Sequence, residues 1–406
     1  MNDAAERVAA SAGGVAASGK PPQHRLAVAW LLLPVALFVA AVAWLVAADP
    51  LRSLNIGAPP VENLTFERTI LDAEGVHLLV RAGGSEPMTL AQVQIDDAYW
   101  TFTQRPGGAI PRGATAWIDV PFPWVLGEAH LVKIVTRTGA TFAHEIRVAV
   151  PTPRPTAGQL QLQALIGIFV GIVPVAIGLL FFPALRGVGA RGMQFLLALT
   201  VGLLAFLLVD TFEEALEIAG EAAPLFQGPV LVFMVALASF LILFAVGRRG
   251  GRPTGIALAV FLALGIGLHN LGEGLAIGAA FASGAAGLGT FLVLGFTLHN
   301  ITEGIGIAAP MLRLRPPLIA FAGLTLLAGG PAVIGMWAGS LAAAPQWAAL
   351  ALAIGAGAIL QVVVEIGDYL RREGAGPSGV LLSFPALSGF AVGVALMYAT
   401  AVLVKI

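Results

Sequence analysis

The sequence predicts a polytopic α-helical membrane protein: an eight-helix bundle preceded by one anchor helix and a small extracytoplasmic immunoglobulin-like β-sandwich. Three observations predict it. Only 11% of the 406 residues are charged and 58% are hydrophobic, whereas soluble domains carry about 25% charged residues, so a water-facing surface could not be assembled from this supply. Nine apolar stretches are each long enough to cross a bilayer core. Between the first and second of them, charged and β-branched residues become more frequent and the apolar period falls to two. The net charge of −1 excludes a strongly basic nucleic-acid binder, so no nucleic-acid partner is expected. With no cysteine there are no disulfides, thiolate metal sites or cysteine nucleophile.

Residues 1–25 are small and polar without an apolar period, and read as a disordered cytoplasmic tail. Residues 26–48 are apolar throughout and read as a transmembrane anchor helix. Val46-Ala47-Ala48 would suit signal-peptide cleavage. The apolar run exceeds the roughly 7–15 residues of such a peptide, which favours an uncleaved anchor.

Residues 52–152 are expected to form the sandwich. Alternating runs at 64–70, 76–81, 91–95, 116–120, 131–136 and 141–150 read as six or seven short strands. Turns containing Gly or Pro separate them at Ala73-Glu74-Gly75, Arg105-Pro106-Gly107-Gly108 and Thr138-Gly139. That many short strands in such a length suggests an immunoglobulin-like or fibronectin-like sandwich. Pro151-Thr152-Pro153-Arg154-Pro155 reads as a stiff linker back to the membrane.

Residues 158–406 are expected to form the bundle, with apolar segments at 159–184, 192–218, 227–247, 254–281, 286–311, 316–342, 346–370 and 380–404. Arg186 and Arg191 follow the first segment, Arg248, Arg249 and Arg252 the third, Arg313 and Arg315 the fifth, Arg371 and Arg372 the seventh. The alternate loops carry no Arg or Lys. By the positive-inside rule the arginine-bearing loops are cytoplasmic, and both the sandwich and the C-terminus are outside. The expected location is a prokaryotic cell (inner) membrane, with the lipid bilayer as the constant partner.

The chemistry is concentrated in the fourth and fifth of these segments. The fourth contains His269-Asn270-Leu271-Gly272-Glu273-Gly274 and the fifth His299-Asn300-Ile301-Thr302-Glu303-Gly304, so H-N-x-x-E-G is written twice near mid-span. An ionisable residue at mid-bilayer costs about 2.5–3.5 kcal/mol on insertion scales and calls for a function or a partner. His and Glu four apart share a helical face, and Asn lies about 100° round from His. Two antiparallel neighbouring helices would gather two imidazoles, two carboxamides and two carboxylates. Nitrogen and oxygen donors without sulfur suit Zn²⁺, Fe²⁺, Mn²⁺, Co²⁺ or Ni²⁺. A hydrogen-bonded glue between two helices, or a proton relay, would use some of the same groups. Neither explains why the whole hexapeptide, Asn included, recurs at matched depth.

On these two motifs and the arginine-defined topology, residues 158–406 resemble the ZIP (Zrt-, Irt-like protein) family of divalent metal transporters. The resemblance implies an eight-helix bundle with both termini outside. His269, Asn270, Glu273, His299, Asn300 and Glu303 would line a one- or two-metal transport site. Zn²⁺ or another divalent transition metal would be the substrate, moved toward the cytoplasm, with neither a resident cofactor nor an enzyme activity. Asp210-Thr211-Phe212-Glu213-Glu214 stands where the family often has H-L-L-P-E, which places Asp210 and Glu214 on the entry path. Gln361 and Glu365 match the family's seventh helix and would line or support the exit. Asp368, close to Arg371 and Arg372, reads as an interfacial ion-pair partner. The chain also departs from the family. Gly272 and Thr302 replace the proline usual before the Glu, implying a softer kink. Leu327-Ala328-Gly329-Gly330-Pro331 lacks the acid usual on the sixth helix, which weakens a second metal site. A His-rich loop is absent between the third and fourth segments.

Two other function classes use the same residues: a metal-sensing receptor whose sandwich recruits an unknown ligand, and an intramembrane zinc hydrolase. No H-E-x-x-H helix supports the hydrolase. Gly274/Gly278, Gly335/Gly339 and Gly389/Gly393 suit either internal helix packing or a homodimer. In the sandwich, His77, His130 and His144 fall in separate strands or turns and read as surface or core histidines rather than a capture site. Trp100, Trp117 and Trp124 read as core residues or membrane-facing anchors, and Asn63-Leu64-Thr65 matches a glycosylation tripeptide that is common by chance.

Overall fold

The computed structural model describes residues 23–48, 60–146, 148–152, 156–282, 286–341, 345–372 and 383–405. Residues 1–22 of the expected tail, 52–59 of the expected sandwich and 153–155 of the expected linker lie outside the described residues. The chain divides into two compact units, residues 1–59 and 60–406. In the first unit the described element is helix α1, Gln23–Ala48, which carries Pro34 and exposes Leu37, Phe38 and Trp44.

The second unit opens with eight strands: β1 Glu62–Asp72, β2 Gly75–Gly84, β3 Leu90–Ile95, β4 Ala98–Trp100, β5 Thr103–Arg105, β6 Thr115–Val120, β7 His130–Thr136 and β8 Thr141–Ile146. They form two antiparallel sheets, in the orders β1-β2-β6-β5 and β4-β3-β7-β8. Alternation places Val76, Leu78, Val80 and Ala82 of β2 in a common core with Ile118, Val132 and Ile134. His77 and Arg81 alternate with them on the other face. All six expected strands are present. The additional pair, β4 and β5, has three residues each, too few for alternation to register. The β3–β4 turn is Asp96-Asp97, with φ of 53° and 63°. That left-handed pair matches the twist of a two-residue hairpin, although Asp-Asp is not the usual signature. The last strand ends at Ile146, short of the expected Val150.

The helices that follow are α2 Ala157–Gly167, a π-helical turn Ile168–Ile172, α3 Val173–Leu180, α4 Phe182–Leu185, α5 Ala190–Glu221, α6 Gly228–Arg248, α7 Gly255–Ala282, α8 Ala286–Ala308, α9 Leu318–Ser340, α10 Pro345–Arg372 and α11 Phe384–Lys405. Thr156 caps α2 in a reciprocal capping box with Gln159. Among the described residues six helical stretches are long and apolar enough to cross a membrane: Ala157–Leu185, Ala190–Glu221, Pro224–Arg248, Gly255–Ala279, Leu318–Ser340 and Pro345–Arg372. Leu32–Leu45 and Phe384–Ala399 are shorter apolar helices. The protein is a mostly helical, polytopic membrane protein with a small β region. Its outward residues agree with that solvent: Phe233, Met234, Leu237 and Leu241 on α6 are exposed together.

Glycines set the closest helix crossings. An added Cβ at Gly274, Gly278, Gly335 or Gly339 would stand 2.1–2.2 Å from a backbone oxygen of the facing helix, and the facing pairs are reciprocal between α7 and α9. Gly389 and Gly393 meet Phe195 and Leu199 of α5 in the same way, at 2.3 Å. All three expected small-residue pairs are therefore occupied by packing within the chain.

The sandwich touches the bundle through a buried charge. Glu67 on β1 is paired with Arg81, Nε to Oε1 at 2.5 Å, and its Oε1 also accepts from Gln346 Nε2 at the start of α10 at 3.3 Å. The Arg81 guanidinium lies 5.5 Å from the ring centroid of Phe226, between α5 and α6.

Candidate metal centre

The fourth and fifth apolar segments are α7 and α8, and both are unbroken helices across their motifs. Neither helix is interrupted at Gly272 or Thr302, and the Thr302 hydroxyl donates to His299 O at 2.7 Å. The prolines lie in their neighbours. Pro174 follows the π-helical turn at 168–172, and Pro331 lies inside α9.

Each motif presents two adjacent faces. On one face are His and Glu, four positions apart; about 100° round lie Asn and Gly, also four apart. The Asn–Gly face packs on a proline-bearing neighbour. Asn270 Nδ2 donates to Ala328 O at 3.0 Å, and Gly274 meets Ala332, both on α9. Asn300 Nδ2 donates to Val170 O at 3.0 Å, and Gly304 meets Val175 on α3. In a regular α-helix Val170 O would accept from residue 174, which is proline and has no N–H. Because a carbonyl can only accept, these bonds fix the orientation of both amides, and the Oδ1 of each is buried without a hydrogen-bond donor.

The His–Glu faces meet each other. His269, Asn270, Glu273, His299, Asn300 and Glu303 are all buried. Glu273 Oε1 lies 2.5 Å from His299 Nε2 and 3.0 Å from His269 Nε2, and Glu273 Oε2 is 3.3 Å from Asn300 Nδ2. The imidazole centroids are 6.2 Å apart. One ligand atom from each of His269, His299 and Glu303 lies within 4.8 Å of the others. Asn270 stands near Glu303, yet neither oxygen of Glu303 receives a hydrogen bond of good geometry. His269 Nδ1 and His299 Nδ1 are likewise without partners among the described residues. Each buried orphan of this kind costs about 1–3 kcal/mol. A divalent cation would satisfy several at once, since imidazole nitrogens, carboxylates and an amide oxygen are all electron-pair donors.

The residues expected along the path are spread over α5 and α10. Asp210 is exposed and Glu214 half-buried, the latter near enough to Glu273 for the two carboxylates to repel. Gln361 is buried beside Gly265 of α7, with both amide atoms lacking hydrogen bonds. Glu365 is fully buried, and Arg248 of α6 lies 3.2 Å from its Oε1. A guanidinium there repels a cation, so Glu365 is held as half of an ion pair rather than as an open ligand. Asp368 pairs with Arg371 at 2.8 Å and also with Arg248, Arg252 and Arg372. Gly330, where a sixth-helix acid would stand, has open space around its Cβ position and lies opposite the packed face formed by Ala328, Ala332, Gly335 and Met336. A carboxylate at that position would point away from the centre. Sequence reasoning missed the two carbonyls that hold the asparagines; Pro174, visible in the sequence four residues after Val170, is a signal that could have found one of them, and no local signal marks Ala328.

In the sandwich the three histidines do not converge with one another. His77 lies between Asp72 and Asp119, His130 Nδ1 is 2.7 Å from Asp96, and His144 Nε2 is 2.9 Å from Thr69 Oγ1. Burial works against the charged form of His77, but its bonds to Asp119 and Asp72 outweigh that and raise its pKa; burial alone lowers that of His144. Comparison of the chain with family models and with curated proteins finds no match.

Proposed function

We propose that the protein is a ZIP-like transporter that carries divalent transition-metal cations toward the cytoplasm through the His269/Glu273/His299/Glu303 centre between α7 and α8. One observation carries this reading: two imidazoles and two carboxylates are buried together at mid-helix, and one of the carboxylates, Glu303, has no well-formed bond to protein. A purely structural cluster would leave no such group, because burying a charge without a partner is costly. The orphaned Oδ1 atoms of Asn270 and Asn300 add neutral donors beside it.

In this reading eight spans form the bundle and α1 is a separate anchor. The Arg-bearing loops are cytoplasmic, and the sandwich and C-terminus face outward from a prokaryotic inner membrane. The sandwich's strand orders are those of the immunoglobulin type, with an extra strand beside the second sheet. Asp210 and Glu214 attract the cation at the entry. Gln361 lies on the inward side of the centre, and the Glu365–Arg248 pair forms a charged constriction beyond it.

Proteoliposome uptake of Zn²⁺, Fe²⁺, Mn²⁺, Cd²⁺ and Co²⁺ tests this, with wild type beside His269→Ala/Glu303→Ala. The expected result is saturable uptake that the double variant lacks. Metal retained by wild-type protein without any uptake would replace the transporter with a sensor. Cleavage of a substrate in detergent, without a gradient, would replace it with a hydrolase.

A further inference from the structure

We propose a second metal site, on the β-sandwich: Asp72, Glu74 and His77, at the β1–β2 turn, bind a divalent cation such as Zn²⁺ or Co²⁺. One ligand atom from each of the three lies within 4.8 Å of the others. The turn that gathers them is firmly seated. Asp72 pairs with Gly75 across a two-residue loop, Ala73-Glu74. Gly75 has φ +135°, and a Cβ there would stand 2.2 Å from Val120 O, so the turn lies directly on the end of β6. Asp72 Oδ1 accepts from Glu74 N at 2.9 Å, which orients the carboxylate, and its side chain and that of His77 are only 17% and 19% exposed.

The second observation is what stands behind His77. Its Nδ1 is 2.6 Å from Asp119 Oδ1, and Asp119 is gripped by Arg105 through Nε at 2.7 Å and a terminal nitrogen at 2.9 Å. Carboxylates only accept, so without a metal Nδ1 donates to Asp119 and Nε2 donates to Asp72, 3.0 Å away, and a cation would take the place of the hydrogen on Nε2. A metal-binding histidine has this arrangement, its far nitrogen donating to a carboxylate that fixes the ring and raises its basicity. Arg105 offsets the charge of Asp119 behind the ring. One nitrogen and two carboxylates suit Zn²⁺, Co²⁺ or Mn²⁺ rather than a soft ion. Three protein ligands leave positions for water, so an ion held there can exchange. His130 and His144 lack such companions: among the described residues the other candidate metal group is the bundle centre.

This site needs only its own residues and does not rest on the transport reading. Its test uses the full chain in detergent carrying His269→Ala/Glu303→Ala, which removes the bundle centre. Zn²⁺ is followed by titration calorimetry and Co²⁺ by its visible absorption. One Zn²⁺ should bind. Glu74→Gln, an exposed turn position that should leave folding intact, should weaken it at least about 10-fold. Asp119→Asn keeps all three ligands and should weaken it about 10–100-fold while shifting the Co²⁺ bands. Asp97→Asn, a sandwich carboxylate paired with Lys133 instead, should change nothing. The proposal is overturned if the background protein binds no Zn²⁺, or if Glu74→Gln binds as tightly as the background at an unchanged melting temperature. Unaltered binding in Asp119→Asn would overturn the orienting role given to that residue. Zn²⁺ held on the sandwich with no wild-type uptake would sink the transport reading alone.

Discussion

The two copies of H-N-x-x-E-G share four residues and occupy the middle of neighbouring helices, yet only one of their faces is used alike. The Asn–Gly faces are near-equivalent: Asn270 and Asn300 each donate to a carbonyl at 3.0 Å, and Gly274 and Gly304 press on α9 and α3 respectively. The His–Glu faces are not. Glu273 has His299, His269 and Asn300 around it, whereas Glu303 has no well-formed hydrogen bond. A repeated motif thus sets which side chains arrive, and the packing around it decides which are held and which stay available to a ligand.

The sharpest way to break this contrast is to remove the carboxylates one at a time. On the proposed transport reading, Glu303→Ala and Glu273→Ala should each cut uptake by about 100-fold or more, beyond what outer-shell changes usually cost, because both carboxylates would balance the cation in a low dielectric. Their stabilities should diverge. Glu273→Ala leaves buried donors on His299 and Asn300 unpaired and should cost about 3 kcal/mol. Glu303→Ala deletes a buried acid that no donor satisfies, and should leave thermal stability unchanged or raised. Melting curves of the metal-free proteins decide it; equal destabilisation by the two variants would erase the proposed division of roles.

The packing faces give the control. Adding a methyl group at Gly274 or Gly304 drives it to 2.1 Å or 2.4 Å from a backbone oxygen of the neighbour, so Gly274→Ala and Gly304→Ala should each lose about 3 kcal/mol, toward the upper end of overpacking costs. Gly330→Ala, with open space around it, should instead gain up to about 1 kcal/mol from helix propensity. Unequal losses at 274 and 304 in denaturant titrations would mean that the copies differ on both faces.

Much of this organisation was legible in the sequence. Charge scarcity and apolar run length mark the membrane helices, period-two alternation marks six of the eight strands, and the doubled motif marks the two helices that meet. What escaped depends on distant partners. Arg248 reaches Glu365 across 117 positions, and nothing local to either announces the pairing. His77 looked isolated because Asp72 belongs to the strand before it and Asp119 to β6; only the register that sets His77 opposite Asp119 joins them. The roles of the asparagines were hidden for the same reason, since each serves a carbonyl on a helix far away in the chain.

Those asparagines supply the smallest and most specific test. Val170 O stands four residues before Pro174 and therefore lacks the donor that a regular helix would provide, so Asn300 Nδ2 meets a real deficit there. Ala328 O stands four residues before Ala332, which does have an N–H, within the continuous helix α9. Asn300→Leu should therefore cost about 2 kcal/mol through an unpaired carbonyl and the lost bond to Glu273. Asn270→Leu should cost nearer 1 kcal/mol, the net worth of one ordinary hydrogen bond. Restoring a donor to the backbone by Pro174→Ala should recover much of the Asn300→Leu loss and none of the Asn270→Leu loss. A double-mutant cycle reads this directly. Zero coupling between positions 174 and 300 would mean that the proline's missing N–H is not what the asparagine answers.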